Sequence, residues 1–191
     1  MKKHNFSAGP CILPQQVLEK ASQAVLNFNN SNLSLIEISH RSKDFVAVMD
    51  KAQALVKELL KLPDGYSVLF LQGGASTQFL MTAMNLLKTS GKAAYINTGT
   101  WSTKALKEAK RYGEINIIAS SEDKNFSYIP KDYSSSEDTD YLHFTSNNTI
   151  FGTQFHEFPK VSKDTMLVCD MSSDIFSRKI DVSKFDLIYA G

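Results

Sequence analysis

The hydrophobic period of this chain switches repeatedly between two values, and that switching restricts its fold more than any other feature. Leu13, Val17, Leu18, Ala21, Ala24, Val25 and Phe28 recur at helical spacing, which predicts a first helix entered near Pro14 and ended by the asparagine run at 29–32. Phe45, Val46, Met49, Ala52, Leu55, Val56, Leu59 and Leu60 predict a second, stopped by Pro63-Asp64-Gly65. After that point short apolar runs alternate with helical stretches. Strands are expected at Val68–Leu71, Ala93–Ile96, Ile115–Ala119, Tyr141–Thr145, Met166–Asp170 and Asp186–Ala190. Helices through Phe79–Leu87 and Trp101–Ala109 separate the first three. Gly152 marks a bend or short hairpin between Ile150-Phe151 and Thr153-Gln154-Phe155. Alternation of this kind predicts an α/β fold, a three-layer sandwich around a mostly parallel sheet.

Charge and cysteine content then exclude several functions. Lys and Arg total 21 against 20 Asp and Glu, so there is no global field to attract nucleic acid. Lys104, Lys107 and Lys110 share one helix face beside Arg111, but no aromatic platform interleaves with them, so they read as a solvated face. Cys11 and Cys169 are the only cysteines, which suits a reducing compartment and rules out a disulfide framework. Cys11, His143 and Cys169 lack zinc spacing, so no metal is expected. No apolar run approaches the ~20 residues that cross a bilayer, and none follows the basic start as a secretory signal would, so a cytoplasmic protein is expected. The polar stretch 134–140 reads as a surface loop.

Ligands in such sheets collect beyond the carboxyl ends of the strands, and four polar clusters fall there: 73–77, 98–101, 145–149 and 170–173. Gly73-Gly74-Ala75-Ser76-Thr77 offers backbone donors at a helix start, with hydroxyls from Ser76 and Thr77; this is a phosphate cradle or an ordinary strand-to-helix turn. It lacks the Gly-Lys-Ser/Thr ending of a P-loop. Trp101 is the single tryptophan, suited either to stacking on a planar ring or to packing its own helix. Asp170 ends an apolar strand, where a carboxylate needs a partner; a protonated ring nitrogen and the Met171-Ser172-Ser173 turn are both available readings. Asp170 with Asp174 raises magnesium, without a further carboxylate to assist. Arg41, beside His40, carries the planar fork that suits phosphate or carboxylate, or else pairs with Glu37 and Asp44 on the surface.

Taken together, these segments resemble the phosphoserine aminotransferases, pyridoxal-phosphate enzymes of fold type I. The likeness rests on Phe6-Ser7-Ala8-Gly9-Pro10, Ser39-His40-Arg41-Ser42, the segment 70–79 and Asn97-Thr98-Gly99-Thr100-Trp101-Ser102. Asp170-Met171-Ser172-Ser173-Asp174 and the segment 177–182 complete it. The resemblance implies that Ala75 and Ser76 bind the phosphate of pyridoxal 5'-phosphate and that Trp101 stacks on its ring. It implies that Thr149 bonds near the phenolic oxygen or phosphate, and that Asp170 keeps the ring nitrogen protonated. His40 and Arg41 would bind substrate phosphate across a homodimer interface.

The implied reaction moves an amino group from glutamate to 3-phosphohydroxypyruvate, giving phosphoserine and 2-oxoglutarate, a step of serine biosynthesis. A different fold type I enzyme (a desulfurase, lyase or decarboxylase) and a non-catalytic partner are the alternatives. Asn147 and Asn148 stand where the family often reads Asn-Glu before its threonine, so a carboxylate is lost at Asn148. The family continues beyond the Tyr-Ala-Gly segment to its Schiff-base lysine, which is therefore expected just after Gly191. On this reading residues 1–15 are an N-terminal arm and 16–191 an incomplete, truncated cofactor-binding large domain, with the small C-terminal domain outside the chain.

Overall fold

The computed structural model describes residues 3–134 and 138–191. Part of the polar stretch expected at 134–140, residues 135–137, lies outside the described residues. The chain divides into two compact units, the first running to Lys61 and including Tyr66–Leu69, the second comprising Leu62–Gly65 and Phe70–Gly191.

In the first unit the segment 3–14 is exposed and irregular, with a tight turn where Cys11 N–H donates to the Gly9 carbonyl at 2.8 Å. Helix α1 spans Gln15–Leu26, with Pro14 just outside it at φ −54°. Asn29, Asn30 and Asn32 follow at φ of 51°, 57° and 61°. Asparagine enters the left-handed region more readily than other side chains, and that is how this run reverses the chain. Helix α2 spans Lys43–Leu60; Ser42 Oγ accepts from Phe45 N–H, and Asp44 lies in the first turn, where negative charge complements the helix dipole. It ends on Lys61 at φ 50°. Pro63 disfavours helical backbone at the residue before it, so α2 stops ahead of the Pro-Asp-Gly run and not on it. Among the described residues of this unit, Ser34 and Leu60 alone are buried.

The second unit holds helices α3 (Gly74–Leu86) and α4 (Thr100–Ala109), and strands β1 (Lys92–Asn97), β2 (Glu114–Ser120) and β3 (Tyr141–Thr145). It continues with β4 (Asn147–Asn148), β5 (Thr153–Gln154), β6 (Met166–Asp170) and β7 (Leu187–Tyr189). Five strands form one sheet in the order β2-β1-β3-β6-β7, with every pairing parallel. Parallel sheets are covered on both faces, which is why β1, β3 and β6 read as nearly continuous apolar runs. On one face Ala93, Tyr95, Tyr141, Val168 and Tyr189 pack with Phe79 and Ala83 of α3 and with Ala105, Leu106 and Ala109 of α4. On the other, Ala94, Ile96, Leu142, Phe144, Leu167 and Cys169 pack with Phe155, Met171 and Phe185 from irregular segments. The second outer layer of this unit is thus built from loops. Phe144, Phe155, Phe158 and Phe185 interlock there with ring centroids 5.0–6.3 Å apart, filling volume that a helix fills in other α/β layers.

Two expectations need correction. No strand forms at Val68–Leu71: Leu69, Phe70 and Leu71 are 70, 52 and 53% exposed, and no described strand pairs with them. An apolar run reports a preference for burial, but a strand also needs a ladder partner. The hairpin about Gly152 does form, but β4 pairs antiparallel with β5 through Asn147 and Asn148, leaving Ile150 and Phe151 in its loop. Gly152, at φ +71°, supplies the left-handed turn residue.

Candidate active site

The sheet presents its polar residues at one end. Register places Thr145 of β3, Asp170 of β6 and Tyr189 of β7 side by side. Asp170 is 3% exposed. Its Oδ1 accepts from Ser172 N–H at 2.9 Å and from the Ser172 hydroxyl at 2.6 Å. Its Oδ2 has no hydrogen-bond partner among the described residues. Burial pushes the Asp170 carboxyl above the usual carboxylate range; the two Ser172 bonds oppose that and the nearby Asp174 charge adds to it. The carboxylate therefore caps its own turn with one oxygen and leaves the other for a cationic or N–H partner. Asp174 is committed elsewhere. It accepts from the Ser146 hydroxyl and from Gln154 Nε2 at 3.2 Å, with Arg178 Nη2 at 3.6 Å.

Gly191 leaves β7 against the start of α3. A Cβ at Gly191 would lie 2.3 Å from Ala75 N, so only glycine permits this approach. Gly191 N–H reaches Ser172 Oγ at 3.2 Å, which ties the start of α3 to the Asp170 turn. Gly73 precedes α3 at φ +100° and offers no side-chain cap. The first amides of α3, Gly74, Ala75 and Ser76, thus have no partner within the helix and face its open end. Thr77 does not join them, because its hydroxyl donates back to the Gly73 carbonyl at 2.9 Å. Ser76 also borders a cavity of about 280 Å³ between α3 and α4, with Phe79, Lys104, Lys107, Glu108 and Arg111.

Trp101 stands half-buried in the first turn of α4, with Lys104 Nζ 4.5 Å from its ring centre. Its turn is rigid. Ser102 Oγ accepts from the Thr98 and Gly99 amides, both at 2.9 Å, and Asn97 Oδ1 lies 3.0 Å away. Thr149, in the β4–β5 loop, donates to Ser173 Oγ at 2.8 Å; Asn147 Nδ2 donates to the same atom at 2.8 Å. One layer deeper, Tyr95 stacks on His143 at 4.7 Å, His143 Nε2 meets the Tyr189 hydroxyl at 2.7 Å, and Tyr95 meets Tyr141 at 2.8 Å. Burial pushes His143 down to about 3, so this imidazole is neutral, and it raises the Tyr189 phenol well above its ordinary value.

The family model described as Aminotransferase class-V matches residues 3–191. The chain belongs to the class-V aminotransferases. It is 67% identical over its whole length to the phosphoserine aminotransferase of Flavobacterium johnsoniae, covering 53% of that protein. A solved phosphoserine aminotransferase from Bacillus circulans subsp. alkalophilus superposes with a TM-score of 0.94 at 48% identity, over 98% of this chain and 52% of that one. The pyridoxal-phosphate-bound phosphoserine aminotransferase of Trichomonas vaginalis gives 0.91 at 35% identity, over 99% and 53%. The chain therefore spans about half the length of the relatives it matches. These likenesses match the α/β, fold type I architecture expected from the sequence.

In this class-V aminotransferase chain, Ala75, Ser76, Trp101, Thr149 and Asp170 all lie at the carboxyl end of the sheet in the second unit. His40 and Arg41 belong to the first unit, in an exposed turn between α1 and α2. The surface pairing with Glu37 and Asp44 does not form: Glu37 accepts instead from Ser34 N–H at 2.8 Å, and Arg41 has no ion-pair partner among the described residues. The Met171-Ser172-Ser173 turn that the sequence offered to Asp170 does form, through Ser172. Sequence reasoning gave no role to Ser102 and weighed His143 only as a zinc ligand, and it missed the pairing of His143 with Tyr189. The alternation Tyr141-x-His143-x-Thr145 carried a signal for that pairing, since polar residues on one face of a buried strand need partners across it.

Proposed function

We propose that the protein to which these residues belong is a phosphoserine aminotransferase that uses pyridoxal 5'-phosphate. It exchanges an amino group between glutamate and 3-phosphohydroxypyruvate, giving O-phosphoserine and 2-oxoglutarate. The observation that carries this reading is the free Oδ2 of buried Asp170, at the same sheet end as the unpaired amides of α3. Relatives 59–67% identical over the whole of this chain, each named a phosphoserine aminotransferase, support the substrate class.

The residues present fit the cofactor. The Ala75 and Ser76 amides suit its phosphate, because a helix start concentrates N–H donors and positive potential. Trp101 offers a flat face for the ring, and the Thr149 hydroxyl a hydrogen bond at its edge. Asp170 Oδ2 would accept from the ring nitrogen and hold its proton, since a carboxylate in a poorly solvated site favours a charged neighbour strongly. When bound, the cofactor supplies the electron sink for chemistry at the amino-bearing carbon. His40 and Arg41 keep their cationic and donor groups free for a phosphorylated substrate, as donations to the neighbouring protomer of a homodimer. Residues 1–15 serve as an arm and 16–191 as part of the large domain of a cytoplasmic enzyme.

The test uses the full-length protein. Supplied with glutamate and 3-phosphohydroxypyruvate, it should form 2-oxoglutarate, and should discriminate strongly against the unphosphorylated keto acid. Asp170→Asn keeps the Oδ1 contacts but removes the charge, and should lower turnover by about 100-fold or more while the fold persists. Wild-type turnover equal with and without the substrate phosphate, or an unimpaired Asp170→Asn variant, would refute the reading.

A further inference from the structure

Trp101 and Thr149 stand on different segments, the start of α4 after β1 and the β4–β5 loop, and a planar ring held between them needs a fixed gap. Asn148 is the side chain that joins those segments. It is 2% exposed. Its Oδ1 accepts from the Thr98 hydroxyl at 3.0 Å, and Thr98 is itself fully buried three residues before Trp101. Its Nδ2 donates to Thr153 Oγ1 at 3.1 Å, across the β4–β5 pair that carries Thr149. Its backbone carbonyl accepts from Phe151 N–H at 3.1 Å and Gly152 N–H at 2.8 Å, closing the same loop. The amide also packs on the Trp101 turn itself: a Cβ at Gly99 would lie 3.0 Å from Asn148 Oδ1.

We propose that Asn148 is a positioning residue that sets the spacing between Trp101 and Thr149, and that it does so as a neutral group that accepts toward one turn and donates toward the other. This rests on the pyridoxal-phosphate reading above. With this chain's Thr98 and Thr153 as neighbours, an ionised aspartate in place of Asn148 could accept from Thr98 but could not donate to Thr153. A protonated carboxyl, by contrast, both accepts and donates.

That difference supplies the test. The full-length apo-protein is titrated with pyridoxal 5'-phosphate, following the visible absorbance, at several pH values from about 5 to about 8. Asn148→Ala should weaken binding by roughly 10–100-fold, as expected for the loss of two buried hydrogen bonds. Asn148→Asp should bind weakly near the upper pH. It should recover toward the wild-type affinity at the lower pH as its carboxyl takes up a proton, each value being compared with wild type at the same pH. A purely stabilising role would lower Tm in both variants without that recovery. Binding by Asn148→Ala within about twofold of wild type, or an Asn148→Asp to wild-type ratio that does not change with pH, overturns the proposal. If Asn148→Ala does not fold, Thr98→Val decides, since it removes only the Oδ1 contact: clear weakening supports the proposal and unchanged affinity overturns it. Failure of the wild-type protein itself to bind pyridoxal 5'-phosphate refutes the functional reading, a distinct result.

Discussion

Asp140 shows how much a single carboxylate organises in this unit. Its two oxygens accept from four successive amides, Lys88, Thr89, Ser90 and Gly91, at 2.9–3.2 Å. The loop between α3 and β1 is thereby folded around one side chain at the start of β3. Burial alone would raise the carboxyl, but the four backbone donors outweigh it and hold it below the ordinary carboxylate value. A depressed folded-state value means stability that is fully present above about pH 4 and lost as pH falls through the folded value. Asp140→Asn keeps one acceptor and loses the other, and should cost about 1–3 kcal/mol at neutral pH. Urea unfolding should also show a shallower acid limb in the variant. An acid limb of unchanged steepness would remove Asp140 from the pH dependence. Asp170 shifts in the opposite direction, because burial disfavours its charged form.

Elements meet at the site through one close approach, the end of β7 against the start of α3. The free amides of α3 are useful only while nothing blocks them, and the 2.3 Å separation from a Cβ at Gly191 to Ala75 N leaves no room for a side chain. Gly191→Ala must push α3 or the strand end aside. It should weaken pyridoxal 5'-phosphate binding by at least about tenfold, with a stability cost of roughly 1–3 kcal/mol, the usual size of overpacking. Far-ultraviolet dichroism should stay unchanged, since the sheet and helices have their own cores. Unaltered cofactor affinity in this variant would show that the approach is not what shapes the anion site. The β4–β5 hairpin is the other such element: two residues per strand, with side-chain hydrogen bonds joining Asn148 to Thr98 in the turn after β1 and Asn147 to Ser173 in the turn after β6.

At the scale of the molecule the two units differ in what holds them. The second has two packed faces on a five-stranded sheet, whereas the first buries only Ser34 and Leu60 among its described residues. Val17, Leu18 and Val25 of α1 remain 44–48% exposed despite their regular stripe. Burial of apolar area is the chief source of stability, so the first unit has little of its own in a chain of this extent. In a polypeptide of residues 1–191, amides of α1 and α2 should exchange with solvent far faster than those of β1, β3 and β6. Deuterium uptake followed by mass spectrometry would show this, and equal protection in both units would contradict it.

Much of this was legible beforehand because it depends on local pattern. The period changes placed α2, α3, α4, β1, β3 and β6 within a few residues, and the polar clusters after the strands marked the end of the sheet where Ala75, Trp101, Thr149 and Asp170 stand. Glycine at 73 and 152 foretold turns, since backbone conformation at those points is a property of the residue itself. What the sequence could not decide was pairing. The run at Val68–Leu71 had every strand preference and found no partner strand among the described residues. That Asp170 caps its own turn through Oδ1 alone is likewise a matter of tertiary geometry. Asn148, His143 and Tyr189 acquired their roles from contacts 5 to 50 residues away in the chain. Propensity and periodicity are written in neighbouring residues, but a buried polar group is defined by whatever the fold brings to its other side.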